Sequence, residues 1–129
     1  MKNFIKNSSS FINGEWVQSQ EHLSICNPAN LQEHIQDIHL ATGYDTNNAL
    51  LAAQEAFDVW GKTRIEKRIL LLEKFMSNLE AKRNEFSELI TLENGKTIQE
   101  SKGEVDAAIS EGNYQLGYLK DNLVEKKGS

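Results

Sequence analysis

A single apolar stripe near the end of the chain most constrains its fold. Its members recur at spacings of 7, 4, 3, 4, 3 and 4 residues, at Ile98, Val105, Ile109, Gly112, Leu116, Leu119 and Leu123. These spacings place them on one face of an α-helix of about seven turns. A stripe of this length must be buried, so the helices either form a bundle on themselves or require a surface that this chain does not contain.

The residues before residue 46 predict four short strands. Two apolar runs in Phe11–Val17 flank Asn13-Gly14, the pair that supplies the positive φ angles of a tight hairpin turn. A second pair of strands is predicted at residues 23–26 and about 33–41, around the turn Asn27-Pro28-Ala29-Asn30. The spacing between Ile35 and Ile38 breaks the strict alternation expected of a strand.

From residue 46 onward the apolar period becomes helical. A helix is predicted at 46–60, capped by Asp45 or Thr46, with its buried stripe at Leu50, Ala53, Phe57 and Trp60. A second helix is predicted to begin at a capping box of Thr63 and Glu66 and to continue or break near residues 82–84. Its predicted buried face consists of Ile69, Leu72, Phe75, Met76 and Leu79, and a further face, Phe86, Leu89 and Ile90, continues to Asn94.

The stretch LENGKTIQE, residues 92–100, predicts a corner between two helices. Asn94-Gly95 is typical of a helix terminus, because glycine adopts the left-handed conformation without steric cost. Thr97 and Glu100 have the spacing of a capping box, which begins the last helix. The sequence therefore places the Glu93 carboxylate beside a sharp corner.

Composition and charge exclude several classes of protein. The 14 basic and 19 acidic residues give a net charge of −5, which disfavours nucleic-acid binding. No apolar run approaches the roughly 18 to 20 residues of a membrane span, and the first ten residues lack the apolar core of a signal peptide. A single cysteine permits no internal disulfide and fits a reducing compartment. We expect a cytoplasmic protein with neither a nucleic-acid nor a membrane partner.

Two clusters of reactive side chains are weak candidates for a site. Cys26 and the three histidines, His22, His34 and His39, have neither the helical spacing nor the second cysteine of usual structural zinc sites. The acids of the last helix lie opposite its apolar stripe and are interpreted as a solvated face: Glu100, Glu104, Asp106 and Glu111.

Five short motifs, in this order and spacing, carry a resemblance to a family. They are FINGEW at 11–16, NPA at 27–29, AAQEAF at 52–57 followed by Trp60, residues 64–68, and TLENGK at 91–96. From about Phe11 to Leu119 the chain resembles the N-terminal segment of the NAD(P)-dependent aldehyde dehydrogenase superfamily. The resemblance implies an α/β family fragment: short β-hairpin strands, then about four amphipathic helices, without the dinucleotide-binding sheet.

The resemblance also implies how the chain is organised. It indicates a family-like segment at 11–124, with strands in 11–41 and helices in 46–123. The polar, serine-rich residues 1–10 predict a flexible arm, and residues 125–129 a polar tail. The complete family enzyme oxidises an aldehyde to an acid with NAD or NADP. Its catalytic cysteine, its general-base glutamate and its cofactor motif all lie further along the chain. We therefore expect no catalytic residue and no bound cofactor here, and an inactive isolated chain.

The expected partner is the remainder of an aldehyde dehydrogenase chain or a homo-oligomer. The alternative is a small helical interaction module that binds a protein and is not an enzyme.

The resemblance assigns two candidate sites by position. In some family members the carboxylate at Glu93 holds a monovalent cation together with backbone carbonyls, which here belong to Ile25 and Cys26. Hard cations prefer such oxygen ligands. The alternative role for Glu93 is a hydrogen bond to the loop at Asn27-Pro28. The last helix borders the substrate entrance in the family, so Ala107 and Ala108 are expected to shape access in a complete enzyme.

Overall fold

The computed structural model describes residues 9–123 of the chain. The order of elements is β1 (Ser10–Ile12), β2 (Glu15–Val17), β3 (His22–Asn27), β4 (Asn30–His39), α1 (Gly43–Trp60), α2 (Ile65–Ala81), α3 (Arg83–Asn94) and α4 (Ile98–Asn122). The predicted order of short antiparallel strand pairs followed by four helices is confirmed. The predicted tail at 125–129 and residues 1–8 of the predicted arm lie outside the described residues.

The chain divides into two compact units. Among the described residues, the first comprises residues 9–62 together with Leu92–Gly95, and the second comprises Thr63–Thr91 and residues 96–123. None of the helices within residues 9–123 combines the length and the apolar character that crossing a membrane requires.

In the first unit, β1 and β2 form the hairpin that the sequence predicts. Asn13 has a φ angle of 50° and Gly14 one of 84°, the positive values that a two-residue hairpin turn needs. The register pairs Phe11 with Trp16, and their ring centroids lie 5.0 Å apart. The turn and this cross-strand aromatic pair together fix the register of the hairpin.

The second hairpin, β3 with β4, contains the irregularity that breaks the apolar alternation. Ile25 lies opposite Gln36, whereas Cys26 lies opposite His34, so Ile35 is an extra residue at a bulge. The turn is shorter than predicted, because Asn27 and Asn30 already pair. Strand β4 accordingly runs from Asn30 to His39 rather than from about residue 33 to residue 41.

Helix α1 begins earlier than predicted, and the predicted cap is wrong. Thr42 is the N-cap: its Oγ1 accepts a hydrogen bond from the Asp45 amide at 3.2 Å, and the Asp45 carboxylate accepts one from the Thr42 amide at 2.8 Å. Hydrogen bonds from the Thr42 side chain and backbone hold the pKa of buried Asp45 below its usual range. Asp45 therefore completes a capping box inside the helix instead of preceding it.

The predicted buried stripe of α1 is also wrong. Leu50, Phe57 and Trp60 are 65%, 69% and 44% exposed, and Ala53 is exposed as well. The half-buried side of α1 is instead that of Ala49 and Ala52, small residues that line a cleft of about 300 Å³ with β1.

In the second unit, α2 and α4 form the apolar core. Ile69, Met76 and Leu116 are buried, and the partly buried side chains packed against them are Ile65, Leu79, Ile109 and Leu119. Val105 is 4% exposed, so the predicted stripe of α4 is confirmed in its central part, whereas its ends, Ile98 and Leu123, are exposed. Gly112 lies so close to α2 that a Cβ atom there would overlap Met76 Cε and Sδ.

The prediction for α2 is correct in part. Ile69, Met76 and Leu79 face the core as expected, but Leu72 and Phe75 are exposed. The N-cap is Arg64, one residue later than predicted, and its side chain makes no capping hydrogen bond. The predicted break near residues 82–84 falls at Lys82, between α2 and α3.

Polar side chains connect α3 to α4 within the second unit. Ser87 and Ser101 are fully buried, and Thr91 donates a hydrogen bond to Ser101 at 2.9 Å between the two hydroxyl oxygens. Arg83 donates to both carboxylate oxygens of Asp106, which lowers the pKa of Asp106 and raises that of Arg83. Asp106 is thus half of an interhelical ion pair rather than a member of a purely solvated acidic face.

Candidate functional site

The corner predicted from LENGKTIQE is present. Helix α3 ends at Asn94, and Gly95 has a φ angle of 67°. Thr97 then caps α4: its Oγ1 accepts from the Glu100 amide at 3.3 Å, and the Glu100 carboxylate accepts from the Thr97 amide at 3.0 Å. These hydrogen bonds from the Thr97 side chain and backbone lower the pKa of Glu100, with a smaller contribution from the nearby charge of Lys96.

In the first unit, the corner lies against the turn between β3 and β4. A Cβ atom added to Gly95 would lie 3.2 Å from the Ala29 nitrogen and 3.4 Å from Pro28 Cβ. The turn is fixed in its own right, because Asn27 Oδ1 accepts from the Ala29 amide at 2.9 Å. Asn27 also donates to Glu33 at 2.8 Å. Gly95 of the TLENGK motif therefore lies against the NPA motif.

Glu93 contacts strand β4 rather than the loop named as its alternative partner. Its side chain is half-buried, and its Oε1 accepts a hydrogen bond from Gln36 Nε2 at 3.4 Å. The expected hydrogen bond to the loop at Asn27-Pro28 is thus replaced by one to Gln36. Gln36 lies opposite Ile25 in the ladder, so the strand that Glu93 contacts is paired with β3, which carries the proposed carbonyl ligands.

The three groups that the resemblance assigns to a cation are of the types that suit a hard ion. A carboxylate and main-chain carbonyls are the ligand types that such ions prefer. The carboxylate is Glu93 and the carbonyls are those of Ile25 and Cys26. Within residues 9–123, no group of three or more His, Cys, Asp or Glu side chains is arranged to hold a metal ion. The cation role of Glu93, Ile25 and Cys26 stays a prediction.

The remaining sequence candidates lie on α4 and on the second hairpin. Ala107 and Ala108 are exposed on α4, and their role at a substrate entrance also stays a prediction. Cys26 is a free, half-buried thiol on β3. His39 Nδ1 lies 2.7 Å from the Ser19 carbonyl oxygen, a hydrogen bond that ties the end of β4 to the loop before β3.

A polar cluster on the second hairpin was not predicted from the sequence. Ser24 Oγ donates to Asp37 Oδ1 at 2.5 Å, and His34 Nε2 lies 3.0 Å from the same oxygen. The Ser24 hydrogen bond, followed by that of His34, lowers the pKa of Asp37. Because the carboxylate lies between the hydroxyl and the imidazole, the imidazole does not activate the hydroxyl as a nucleophile. No sequence signal indicates this cluster, because Ser24 lies opposite Asp37 only through register shifts in the hairpin.

The conformation of Gly95 gives a direct test of the corner. We expect Gly95→Val to lower the free energy of unfolding by roughly 1 to 2 kcal/mol, because a β-branched residue resists positive φ and its Cβ would crowd Ala29. Denaturant titration followed by circular dichroism measures the change. Gly95→Asn is the control, since asparagine tolerates this region, and we expect a smaller loss. A neutral valine variant would show that Gly95 is not left-handed.

The chain is similar in sequence to aldehyde dehydrogenases. The sequence profile described as "Aldehyde dehydrogenase family" matches residues 16–127. Malonate-semialdehyde dehydrogenase of Bacillus pumilus (strain SAFR-032) is 39% identical over 102 residues, which is 78% of this chain and 21% of that protein. The enzyme of the same name from Bacillus cytotoxicus is 37% identical over 128 residues, which is 92% of this chain and 26% of that protein.

The fold is similar to a solved aldehyde dehydrogenase. Betaine aldehyde dehydrogenase from Staphylococcus aureus, in complex with NAD+, superposes with a TM-score of 0.82 and 30% sequence identity, over 88% of this chain and 23% of that one. The chain thus spans about a quarter of the length of the relatives it matches. The profile covers most of the chain, and both its sequence and its fold are similar to aldehyde dehydrogenases. We conclude that this chain belongs to the aldehyde dehydrogenase family.

Proposed function

We propose that this chain supplies the N-terminal segment of an enzyme that oxidises an aldehyde to an acid with NAD or NADP. The observation that carries the proposal is the similarity of its strand pairs and four helices to a quarter of an aldehyde dehydrogenase. The substrate class is an aldehyde, the class that the names of the relatives share. The alternative, a small non-enzymatic interaction module, finds no support in these similarities.

Exposed apolar side chains in each unit support a larger protein around this segment. On α1, Phe57 and Val59 are 69% and 75% exposed. On α2, in the other unit, Leu71 and Phe75 are 49% and 60% exposed. Apolar surface of this extent marks contact with further protein. We propose that the contact is made by the remainder of an aldehyde dehydrogenase chain or by further copies in a homo-oligomer.

We assign the corner and α4 structural roles in that enzyme. Glu93, with the carbonyls of Ile25 and Cys26, would hold a monovalent cation beside the β3–β4 hairpin. Ala107 and Ala108 would line the approach to the substrate. Both proposals rest on the family resemblance, and the contact of Glu93 with Gln36, opposite Ile25, supports the first.

The chemistry of the isolated chain can be tested directly. We expect the purified chain to form no NADH or NADPH when supplied with malonate semialdehyde or betaine aldehyde and the oxidised cofactor. The reason is that we propose the nucleophilic cysteine and the general base to lie in the rest of the enzyme. The measurement is the absorbance of the reduced cofactor, with the full-length Bacillus pumilus relative as the active control. Aldehyde-dependent NADH formation by the chain alone would contradict the expectation.

A chimera tests whether the segment is functional in its place. This chain replaces the matched segment of the Bacillus pumilus enzyme, and the chimera is assayed with malonate semialdehyde. We expect a soluble, active enzyme. A soluble chimera without activity would count against the proposal that this chain can supply the N-terminal segment.

A further inference from the structure

One face of α2 combines exposed apolar side chains with an arginine. Leu71, Leu72 and Phe75 follow Arg68 at three, four and seven residues, a spacing that places all four on one face of the helix. We call these four residues the Phe75 face. It lies beside the stripe of Ile69 and Met76 that packs on α4.

The apolar members of the Phe75 face are uncovered in the second unit. Leu71, Leu72 and Phe75 are 49%, 41% and 60% exposed. A single exposed leucine needs no explanation, but three large apolar side chains on adjoining turns form a patch typical of a contact surface. A partner that covers this patch therefore needs an apolar surface of its own.

Arg68 indicates that the partner must also offer a hydrogen-bond acceptor. Its Nε is buried and has no hydrogen-bond partner among the described residues. The acids near it along α2 are engaged by other cations: Glu66 with Arg64, and Glu73 with Lys120 on α4. A buried donor without a partner is unfavourable, and a carboxylate is the group that best matches a guanidinium. The charge of Arg68 thus calls for an Asp or Glu beside the apolar patch.

We propose that the Phe75 face docks the remainder of an aldehyde dehydrogenase chain, which presents to it an apolar surface bearing one carboxylate that pairs with Arg68. The relatives supply such a remainder, because this chain spans about a quarter of their length. The inference rests on the proposed function and adds to it the face of contact and the ion pair. Arg68 acts here as a recognition residue and takes no part in the chemistry.

The test compares substitutions in the isolated chain with the same substitutions in the Bacillus pumilus chimera. Arg68→Leu removes the guanidinium group, and Phe75→Asp places a carboxylate in the apolar patch. Lys67→Leu controls for the loss of a cation, and Leu70→Asp controls for an acid at an exposed leucine, 64% exposed, on another side of α2. The readouts are the thermal midpoint of the chimera and the helical circular-dichroism signal of the isolated chain.

We expect Arg68→Leu and Phe75→Asp to lower the thermal midpoint of the chimera by about 5 °C or more, and the two controls to leave it unchanged. In the isolated chain, all four variants should keep the helical signal, because the face has no partner there. If the chimera is soluble and active and neither substitution changes its thermal midpoint, the docking face alone is overturned. An insoluble unsubstituted chimera, beside a soluble parent enzyme, would overturn the proposed function as well.

Discussion

Leu116→Ala is expected to lower the free energy of unfolding of the chain by about 2 to 5 kcal/mol. Leu116 is 7% exposed and lies in the small core with Ile69 and Met76. Truncating a buried leucine removes its transfer free energy and leaves a cavity that the neighbours fill only partly. Because this core has few members, each accounts for a large share of the stability of the second unit. Denaturant titration monitored by circular dichroism measures the loss.

Two exposed leucines provide matched controls for this substitution. Leu70→Ala, at a side chain 64% exposed, should change the free energy of unfolding by no more than about 0.5 kcal/mol. Leu72→Ala, at 41% exposure, should cost less than about 1 kcal/mol although the apolar pattern assigns Leu72 to the buried face. If Leu72→Ala were as costly as Leu116→Ala, α2 would be rotated relative to the structure described here.

Gly112→Val is expected to lower the free energy of unfolding by about 1 to 3 kcal/mol. A Cβ at this position would overlap Met76 Cε and Sδ, so the buried end of that side chain, which is 8% exposed, would have to shift within the core. In an open helical position, the same substitution would be nearly neutral, because glycine is a poorer helix former than valine. The expected loss therefore measures the close approach of α4 to α2.

A control on the same helix and a second background isolate this contact. Gly103→Val introduces the same side chain where a Cβ would meet nothing within 4 Å, and we expect a change within about 0.5 kcal/mol. In a Met76→Ala background, Gly112→Val should lose most of its cost, since the overlapping atoms are gone. Equal losses at Gly103 and Gly112 would contradict the close approach, as would an unchanged cost without the Met76 side chain.

Local chemistry determined several features that the sequence predicts correctly. Three features each depend on residues within a few positions of one another: the hairpin turn at Asn13-Gly14, the end of α3 just before Gly95, and the N-cap of α4 at Thr97. Glycine and asparagine supply positive φ, and a threonine with an acid three residues later satisfies the first amide groups of a helix. The cap of α1 was predicted too late in the sequence, because the N-cap is Thr42 and Asp45 is the acid of the capping box at the third position of the helix.

The buried faces of α1 and α2 were decided by tertiary contacts. The run Ile69-Leu70-Leu71-Leu72 is apolar on every side of α2, so periodicity alone does not select a face. Packing on α4 selects Ile69 and leaves the next three leucines exposed. On α1, the alanine side lies by β1 and the large side chains remain outside.

At the corner around Glu93, local sequence likewise determined one feature and tertiary contacts another. The sequence alone predicts that Glu93 lies beside a helix end, because Asn94-Gly95 ends one helix and Thr97 caps the next. The sequence does not predict the hydrogen-bond partner of Glu93. Gln36 lies 57 residues away, and its place in the hairpin depends on a strand register that the extra residue Ile35 shifts. Sequence thus determined where elements begin and end, since backbone conformation is a local property. The tertiary structure decided which faces meet, since packing depends on surfaces far apart in the chain.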